Sequence, residues 1–439
     1  MSRDPSGLNR RDFLKAAEGL VGAGLLAAGF PAIVPASALG REGRLPPSER
    51  VRVGPIGVKN QGTGNLKALL RKAETVALCD VDREVLQAAR KVAELGTLKT
   101  VETFGDYRRV LDRKDVDAVV VTSPDHWHAR ITVDACMAGK DVYCEKPLSL
   151  TVAEGRAMAD AAKKYGRIVQ TGSQQRSDDK FRLACELVRN GKLGRLKGVT
   201  VGLPAVNYNV EPAPDSAPPA ELDYNFWLGP APDRPYNKNH VHYNFRFFWD
   251  YSGGQMTNWG AHHLDIVQWA LGMDESGPVE IEATATFDPK KQYEVPATMK
   301  IRYTYKYGGD DLIVTCEQGT KARGGVTFEG TEGILFVTRG KIEAPEEILK
   351  SQFSGSDTRL YVSKNHHDNW LECIASRKAP ICEAEIGHRS ATVCHLGNIA
   401  ARTGRILHWD PKAEAIGGDP EAHAMLRRPY RAPWEHPKA

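Results

Sequence analysis

From Val51 onward, short apolar runs alternate with amphipathic stretches of helical period. "VRVGPIG" reads as a strand, and "GNLKALLRKA" as a helix that sets Leu66, Leu69 and Leu70 on one side. "TVALCD" and "DREVLQAARKVAEL" repeat the pair. "DAVVVTSP" is a continuous apolar run of the kind buried on both faces of a parallel sheet. "DHWHARITVDACMAG" (helix), "DVYCEKP" (strand), "TVAEGRAMADAAKKYG" (helix) and "RIVQTG" (strand) complete the series. Such alternation with short connections predicts a doubly wound α/β domain of the Rossmann dinucleotide-binding type over 50–172.

The pattern then changes. Between Leu203 and Tyr236 lie eight prolines, with Tyr208, Tyr224, Phe226 and Trp227 among them, which predicts a long ordered arm. One helix is expected over 257–271. The strand-like runs "VEIEATATF", "ATMKIRYTYKYG", "DLIVTCEQG" and "GVTFEGTEGILFVT" follow, separated by glycine turns, and imply an antiparallel sheet. Helices return over 364–377 and 388–403. The pattern divides into a second α/β domain over 173–410 and an extended C-terminal tail over 411–439.

Size and charge narrow the class. A chain of 439 residues can bury two well-formed cores. Its 59 basic and 55 acidic residues nearly cancel to +4, which argues against a dedicated nucleic-acid binder. No uninterrupted apolar run approaches the ~18 residues of a membrane span, so a soluble globular protein is expected. Before Val51, "NRRDFLKAAEGLVGAGLLAAGF" sets Arg10 and Arg11 ahead of a modest apolar run, and "PASA" ends at Ala38. This order resembles a twin-arginine export signal over 1–38, followed by a linker over 39–49. An amphipathic terminal helix is the other reading. Export to the periplasm, or otherwise out of the cytoplasm, is expected without a stable membrane anchor. None of the eight cysteines forms a C-x-x-C, so buried thiols rather than disulfides are expected.

Three places carry chemistry. The first is "GVKNQG", where Gly57 and Gly62 fill the outer positions of a dinucleotide turn and Lys59 replaces the middle glycine. Lys59 adds a Cβ that pushes a diphosphate back and an ammonium that can pair with it. Gly57, Lys59, Asn60, Gln61 and Gly62 are therefore candidate cofactor contacts. Asp80 ends the second strand, where a carboxylate binds ribose hydroxyls and repels a 2′-phosphate. NAD is thus preferred, and Arg83 close by weakens that preference towards NADP. Asp82 suits the cap of the next helix better than Asp80 does.

The second place is "CEKP", which brings Glu145 and Lys146 to the carboxyl edge of the sheet, where substrate meets a nicotinamide. The third is "GGQMTNWGAHHLDIVQWALG", which sets Asn258, His262 and Asp265 on one stripe of a helix at 100° per residue. A solvated face is the bland reading of that stripe; the Gly-Gly turn before it favours a pocket. No metal is expected, since the spacing of His240, His242 and His262 gives one little support.

Together the turn, Asp80, "SPDHWHA", "EKP", "FWLGPAP" and the Gly260, His262, Asp265 helix resemble the Gfo/Idh/MocA oxidoreductase family over roughly residues 50 to 410. The resemblance implies a Rossmann domain beside an α/β domain with an open, mainly antiparallel sheet that commonly supports homodimers or homotetramers. It implies that Lys146 orients the substrate hydroxyl, that His262 is the acid/base, and that Asp265 is the helix carboxylate. Ser123, Pro124 and His128 of the "SPDHWH" loop would lie near the nicotinamide. Asn258 stands where many family dehydrogenases have an aspartate, so His262 would be a weaker base or Asp265 would partner it.

The expected activity is hydride transfer from a carbinol carbon of a sugar or cyclitol to NAD, with the cofactor tightly held through export. An NAD-dependent glycoside hydrolase or lyase working through a transient keto-sugar is the alternative, although its fingerprint segments are not obvious here. A non-catalytic carbohydrate-binding relative is another. The aromatic arm can face a sugar ring or a second subunit.

Overall fold

The computed structural model describes residues 50–97, 99–206, 211–290 and 292–439. The export signal and linker expected over 1–49 lie outside the described residues, as does Tyr208.

The first sheet has seven parallel strands: β1 (Arg52–Ile56), β2 (Glu74–Thr75), β3 (Ala77–Cys79), β4 (Glu102–Phe104), β5 (Ala118–Val121), β6 (Asp141–Cys144) and β7 (Val169–Thr171). Both β2 and β3 pair with β1 and act as one interrupted strand. The order β4-β3-β1-β5-β6-β7 is then the doubly wound 3-2-1-4-5-6 arrangement. All four residues of β5 are buried, as its unbroken apolar run requires. Helices Gln61–Leu69, Arg83–Thr97, Asp125–Met137 and Val152–Lys164 connect the strands. Asp82 caps the second of these, its Oδ1 accepting from the Glu84 and Val85 amides. Thr151 and Glu154 close a reciprocal capping box on the fourth. Strand order reverses between β1 and β5, so a crevice opens at their carboxyl ends.

The second sheet has nine strands: β8 (Leu196–Leu203), β9 (Glu280–Phe287), β10 (Pro296–Tyr307), β11 (Asp310–Gln318), β12 (Gly325–Gly330), β13 (Ile334–Thr338), β14 (Lys341–Glu343), β15 (Leu407–Asp410) and β16 (Ala415–Gly417). Their order is β14-β13-β12-β8-β11-β10-β9-β15-β16; β8 and β11 run parallel and the other neighbours antiparallel. The sheet is thus mainly antiparallel, as expected. The sequence reading passed over β8, because Lys197 and two glycines interrupt the alternation of "LKGVTVGL". Along β10, Met299, Ile301, Tyr303 and Tyr305 are buried, while Lys300, Arg302 and Lys306 are exposed. The buried face packs with helices Asp179–Arg189, Ala261–Leu271 and Ala384–Thr403, joining Phe181, Leu264 and Leu396 to Tyr303 in one core.

Two expectations change. The segment expected as one helix over 257–271 is a π-helical turn, Met256–Gly260, followed by the α-helix Ala261–Leu271. The tail is not extended throughout: β16 pairs with β15, Pro420–Ala424 is helical, and Arg428 and Tyr430 both bond to the buried Glu154. Its polar side chains find partners on the first domain, which local composition does not reveal. The arm packs against its own chain. Tyr224 stacks on Trp227, Trp227 meets Tyr251 edge-on at 4.8 Å, and Phe226 stacks on Trp127 at 5.3 Å. All eight cysteines are buried free thiols.

Candidate active site

The chain leaves β1 through Gly57 at φ +80°, where a Cβ would stand 2.5 Å from the Ser123 nitrogen at the end of β5. Only glycine permits so close an approach with that backbone. At Gly62 a Cβ would stand 2.1 Å from the Gly57 carbonyl oxygen, so the helix rests directly on the turn. No side chain caps the start of Gln61–Leu69; the Gly62 amide is taken by the Lys59 carbonyl oxygen at 2.8 Å, and the helix start meets the cleft at Asn60 and Gln61. Asp80 braces the same turn: its carboxylate accepts from the Val58 amide at 2.8 Å and the Asp82 amide at 3.0 Å. Burial raises its pKa, opposed by those two amides. These residues fit a dinucleotide: a tight glycine turn, a helix start facing the cleft and an acid at the ribose end.

Lys59, which lines the cleft, also reaches the arm. Its Nζ donates to His242 Nδ1 at 3.0 Å and lies 4.0 Å from Asp82 Oδ2, so it ties the turn to the arm. Burial, and then the Lys59 charge, hold the His242 pKa down. Arg83 donates to the Ala220 carbonyl and does not reach the cleft. The guanidinium expected to favour a 2′-phosphate is thus held by the arm's backbone.

From this turn a cleft of about 380 Å³ runs to the second domain. Gly57, Lys59, Asn60, Gln61, Asp80, Ser123, Pro124, His128, Glu145, Lys146, Asn258 and His262 line it; Gly62, Arg83 and Asp265 do not. Phe226 and Trp227 of the arm also face it, whereas Tyr224 is buried behind them.

At the inner end, Glu145 accepts from Gln61 Nε2, Asn65 Nδ2 and the Lys146 amide. His128 has both ring nitrogens 2.8 Å from carbonyl oxygens, of Pro147 and of Ser123. Two acceptors require two donors, so the ring is an imidazolium. Burial opposes that charge, but the Cys144 sulfur, the Asp125 carboxylate and the Pro147 carbonyl outweigh it and push the pKa up to about 10. His128 thus fastens the β5 loop to the "EKP" loop.

Lys146 Nζ donates to the Asn258 backbone oxygen at 3.0 Å and to its side-chain oxygen at 2.8 Å. Gln255 fixes the amide, accepting from Asn258 Nδ2 at 3.1 Å. Burial pushes the Lys146 pKa down to about 8; the Glu145 charge opposes this, and the Arg246 charge adds to it. His262 is held well below its ordinary value by burial, then by the Lys146 and Arg339 charges. Its Nδ1 is buried and finds no partner among the described residues.

Asp265 does not belong to this group. Its side chain is 0% exposed and pairs with the equally hidden Arg176, Nη2 to Oδ1 at 2.8 Å. Ser390 Oγ donates to the same oxygen at 2.6 Å. A fully buried guanidinium needs a counter-charge, and Asp265 supplies it. Asn258 and His262 both reach the cleft across the π turn, whereas Asp265 lies about 60° round the regular α-helix from His262, which turns it to Arg176 instead. Arg246, Trp259 and Arg339 face the cleft and were not read from the sequence. Among the described residues, no group of three or more His, Cys, Asp or Glu is placed to hold a metal ion.

Residues 51–173 match the profile of the oxidoreductase family's NAD-binding Rossmann fold, and residues 206–436 that of its C-terminal alpha/beta domain. A glycosyl hydrolase family 109 protein of Shewanella pealeana is 32% identical over 204 residues, 43% of this chain and 44% of that protein. An inositol 2-dehydrogenase of Salmonella paratyphi B is 28% identical over 190 residues, 40% of this chain and 54% of that protein. The chain thus spans about half the length of these curated relatives. The WlbA dehydrogenase of Bordetella pertussis, solved with NADH and UDP-GlcNAcA, shares the fold at a TM-score of 0.63 and 18% identity, covering 82% of this chain and 99% of that one. With both domains matched in order and a cleft that fits the cofactor, the chain belongs to the Gfo/Idh/MocA oxidoreductase family and carries its NAD-binding Rossmann domain.

Proposed function

We propose that this protein is an NAD-dependent oxidoreductase acting on a CH–OH group of a sugar or cyclitol. The observation that carries the reading is that one cleft joins the Gly57–Asp80 turn to Lys146 and His262. NAD, when bound, supplies a hydride acceptor for the carbinol carbon. The chain's own residues manage the hydroxyl proton. Lys146 commits two N–H groups to Asn258, which leaves one position on Nζ for a substrate oxygen. With a pKa of about 8, roughly one amine in ten is neutral at pH 7 and able to accept a proton. His262 is neutral and holds the hydroxyl. An imidazolium there is disfavoured beside Lys146 and Arg339, and Asp265 is committed to Arg176. The base role therefore passes from His262 to Lys146.

A second reading is favoured by the family 109 relatives: the same oxidation, made transient, would activate a glycoside for cleavage and then be reversed. Export by a twin-arginine route, tight retention of NAD and assembly into a homodimer or homotetramer belong to this proposal. The exposed side of the nine-stranded sheet is the surface offered for assembly.

The test is mass spectrometry of nicotinamide cofactor released on denaturing the native protein, followed by turnover of sugar, cyclitol and nitrophenyl glycoside panels. Net NADH formation supports the dehydrogenase; aglycone release without net NADH supports the glycosidase. Lys146→Arg should retain NAD and lose either activity, because a guanidinium does not deprotonate. An active Lys146→Arg enzyme would remove Lys146 from the base role.

A further inference from the structure

Two guanidinium groups at the reacting end of the cleft lack an acidic partner among the described residues. Arg246 lies in the turn His242–Phe247, where its Nη1 donates to the Tyr243 carbonyl oxygen at 2.8 Å. Its guanidinium rests over the Tyr243 ring at 4.5 Å and the Phe245 ring at 4.8 Å. Arg339 comes from the turn between β13 and β14 and stacks over Trp259 at 4.8 Å. The two neighbours of the Gln175 amide fix which way it must be turned: with its oxygen towards Arg339 Nε at 3.2 Å, its nitrogen donates to the His262 carbonyl oxygen at 2.9 Å, and only that orientation satisfies both. Arg339 is thereby fixed relative to His262. Neither guanidinium has a carboxylate within 4.0 Å among the described residues.

The local charge does not balance. Lys146, His128, Arg246 and Arg339 face the carboxylates of Asp125 and Glu145. Glu145 is taken up by Gln61, Asn65 and the Lys146 amide, and Asp125 by Ser252. The cofactor's phosphates belong at the turn and open helix start near Gly57 to Gln61, away from Trp259. Arg246 is half-buried and Arg339 exposed; guanidinium groups stacked on aromatic faces are a usual means of holding a planar anion in two hydrogen bonds.

We propose that the substrate sugar carries a negatively charged substituent, held between Arg246 and Arg339 while its reacting hydroxyl meets Lys146 and His262. This rests on the oxidoreductase reading of the same cleft and adds the class of sugar it accepts. Carboxylate, sulfate and phosphate share the required chemistry. A carboxylate fits the fork of Arg339 through two parallel N–H···O bonds.

The test uses the NAD-loaded protein and matched probes: D-glucuronate, D-glucose 6-sulfate and D-glucose 6-phosphate, each against D-glucose. Binding is read by tryptophan fluorescence, since Trp259 lies under Arg339. At least one acidic probe should bind tenfold or more tighter than glucose, and the three arms identify the preferred anion. Arg339→Gln and Arg246→Gln should each abolish that preference while leaving NAD affinity unchanged. Arg339→Lys should restore part of it, which separates charge from folding. Equal binding of acidic and neutral probes would overturn the proposal, as would loss of NAD affinity in Arg246→Gln, which would assign that guanidinium to the cofactor phosphates. Tight binding of an acidic probe without NAD reduction or glycoside cleavage would sink the oxidoreductase reading and leave the anion subsite standing.

Discussion

Asn258 offers Lys146 two neutral acceptors, at 3.0 and 2.8 Å, where a carboxylate would offer a charge. Burial beside neutral oxygens carries the amine from its ordinary 10.5 to about 8. Asn258→Asp puts a full negative charge at hydrogen-bond distance from Nζ. An opposite charge that close favours the ammonium by about 1–3 pKa units, or about 1.4–4 kcal/mol. Lys146 should then titrate between about 9 and 11. At pH 7.5 its neutral fraction would fall from about one quarter to about 3% or less. The assay is pulse acylation across pH with a limiting reagent, reading the peptide that contains Lys146 by mass spectrometry, because only the neutral amine reacts. It needs no knowledge of the substrate. The labelling midpoint should rise by at least about one unit, and the pH profile of sugar oxidation should move the same way. The direction follows from charge: a base that must be neutral loses activity at neutral pH when its ammonium is stabilised. An unchanged or lower midpoint would refute the claim that Asn258 keeps this lysine near neutrality.

Asp265→Asn should act on stability. Removing one partner of a buried pair costs about 3–5 kcal/mol, and Asp274, 26% exposed and 2.7 Å from Arg176, keeps the loss near the lower figure. A denaturant titration should show the folded-to-unfolded ratio falling about a hundredfold, with the Lys146 labelling midpoint unmoved; a fall in turnover of fully folded variant would return Asp265 to the catalytic group. Lys59→Gly should release NAD faster by stopped flow. The broken contact to His242 is half-exposed and worth at most about 1 kcal/mol, so the change should not exceed about fivefold. Unchanged release would mean that the arm does not retain the cofactor.

Much of the fold was legible because its signals are local. The β5 run, the Thr151–Glu154 box and the Gly57 turn each express a constraint within a few residues. The same holds for Lys146 and His262, whose neighbours in sequence carry them to the cleft. Strand β8 was missed because glycines break its period, and the tail because its partner, Glu154, lies far back in the chain. Asp265 misled because its partner, the buried Arg176, lies 89 residues back in the chain and nothing near Asp265 in sequence announces it.

The sequence alone therefore determined the doubly wound domain, the sheet that follows it, the cofactor class, and the cleft's glycine, lysine and histidine. Hydrophobic period and backbone sterics act over short distances along the chain, so both can be read there. Only the tertiary structure decided where the charges go. Arg176 claims Asp265 from 89 residues away, His242 claims Lys59 from 183, and Arg339 reaches the cleft from a turn between strands of the second sheet. A charge is defined by its burial and its partners, and those are set by packing.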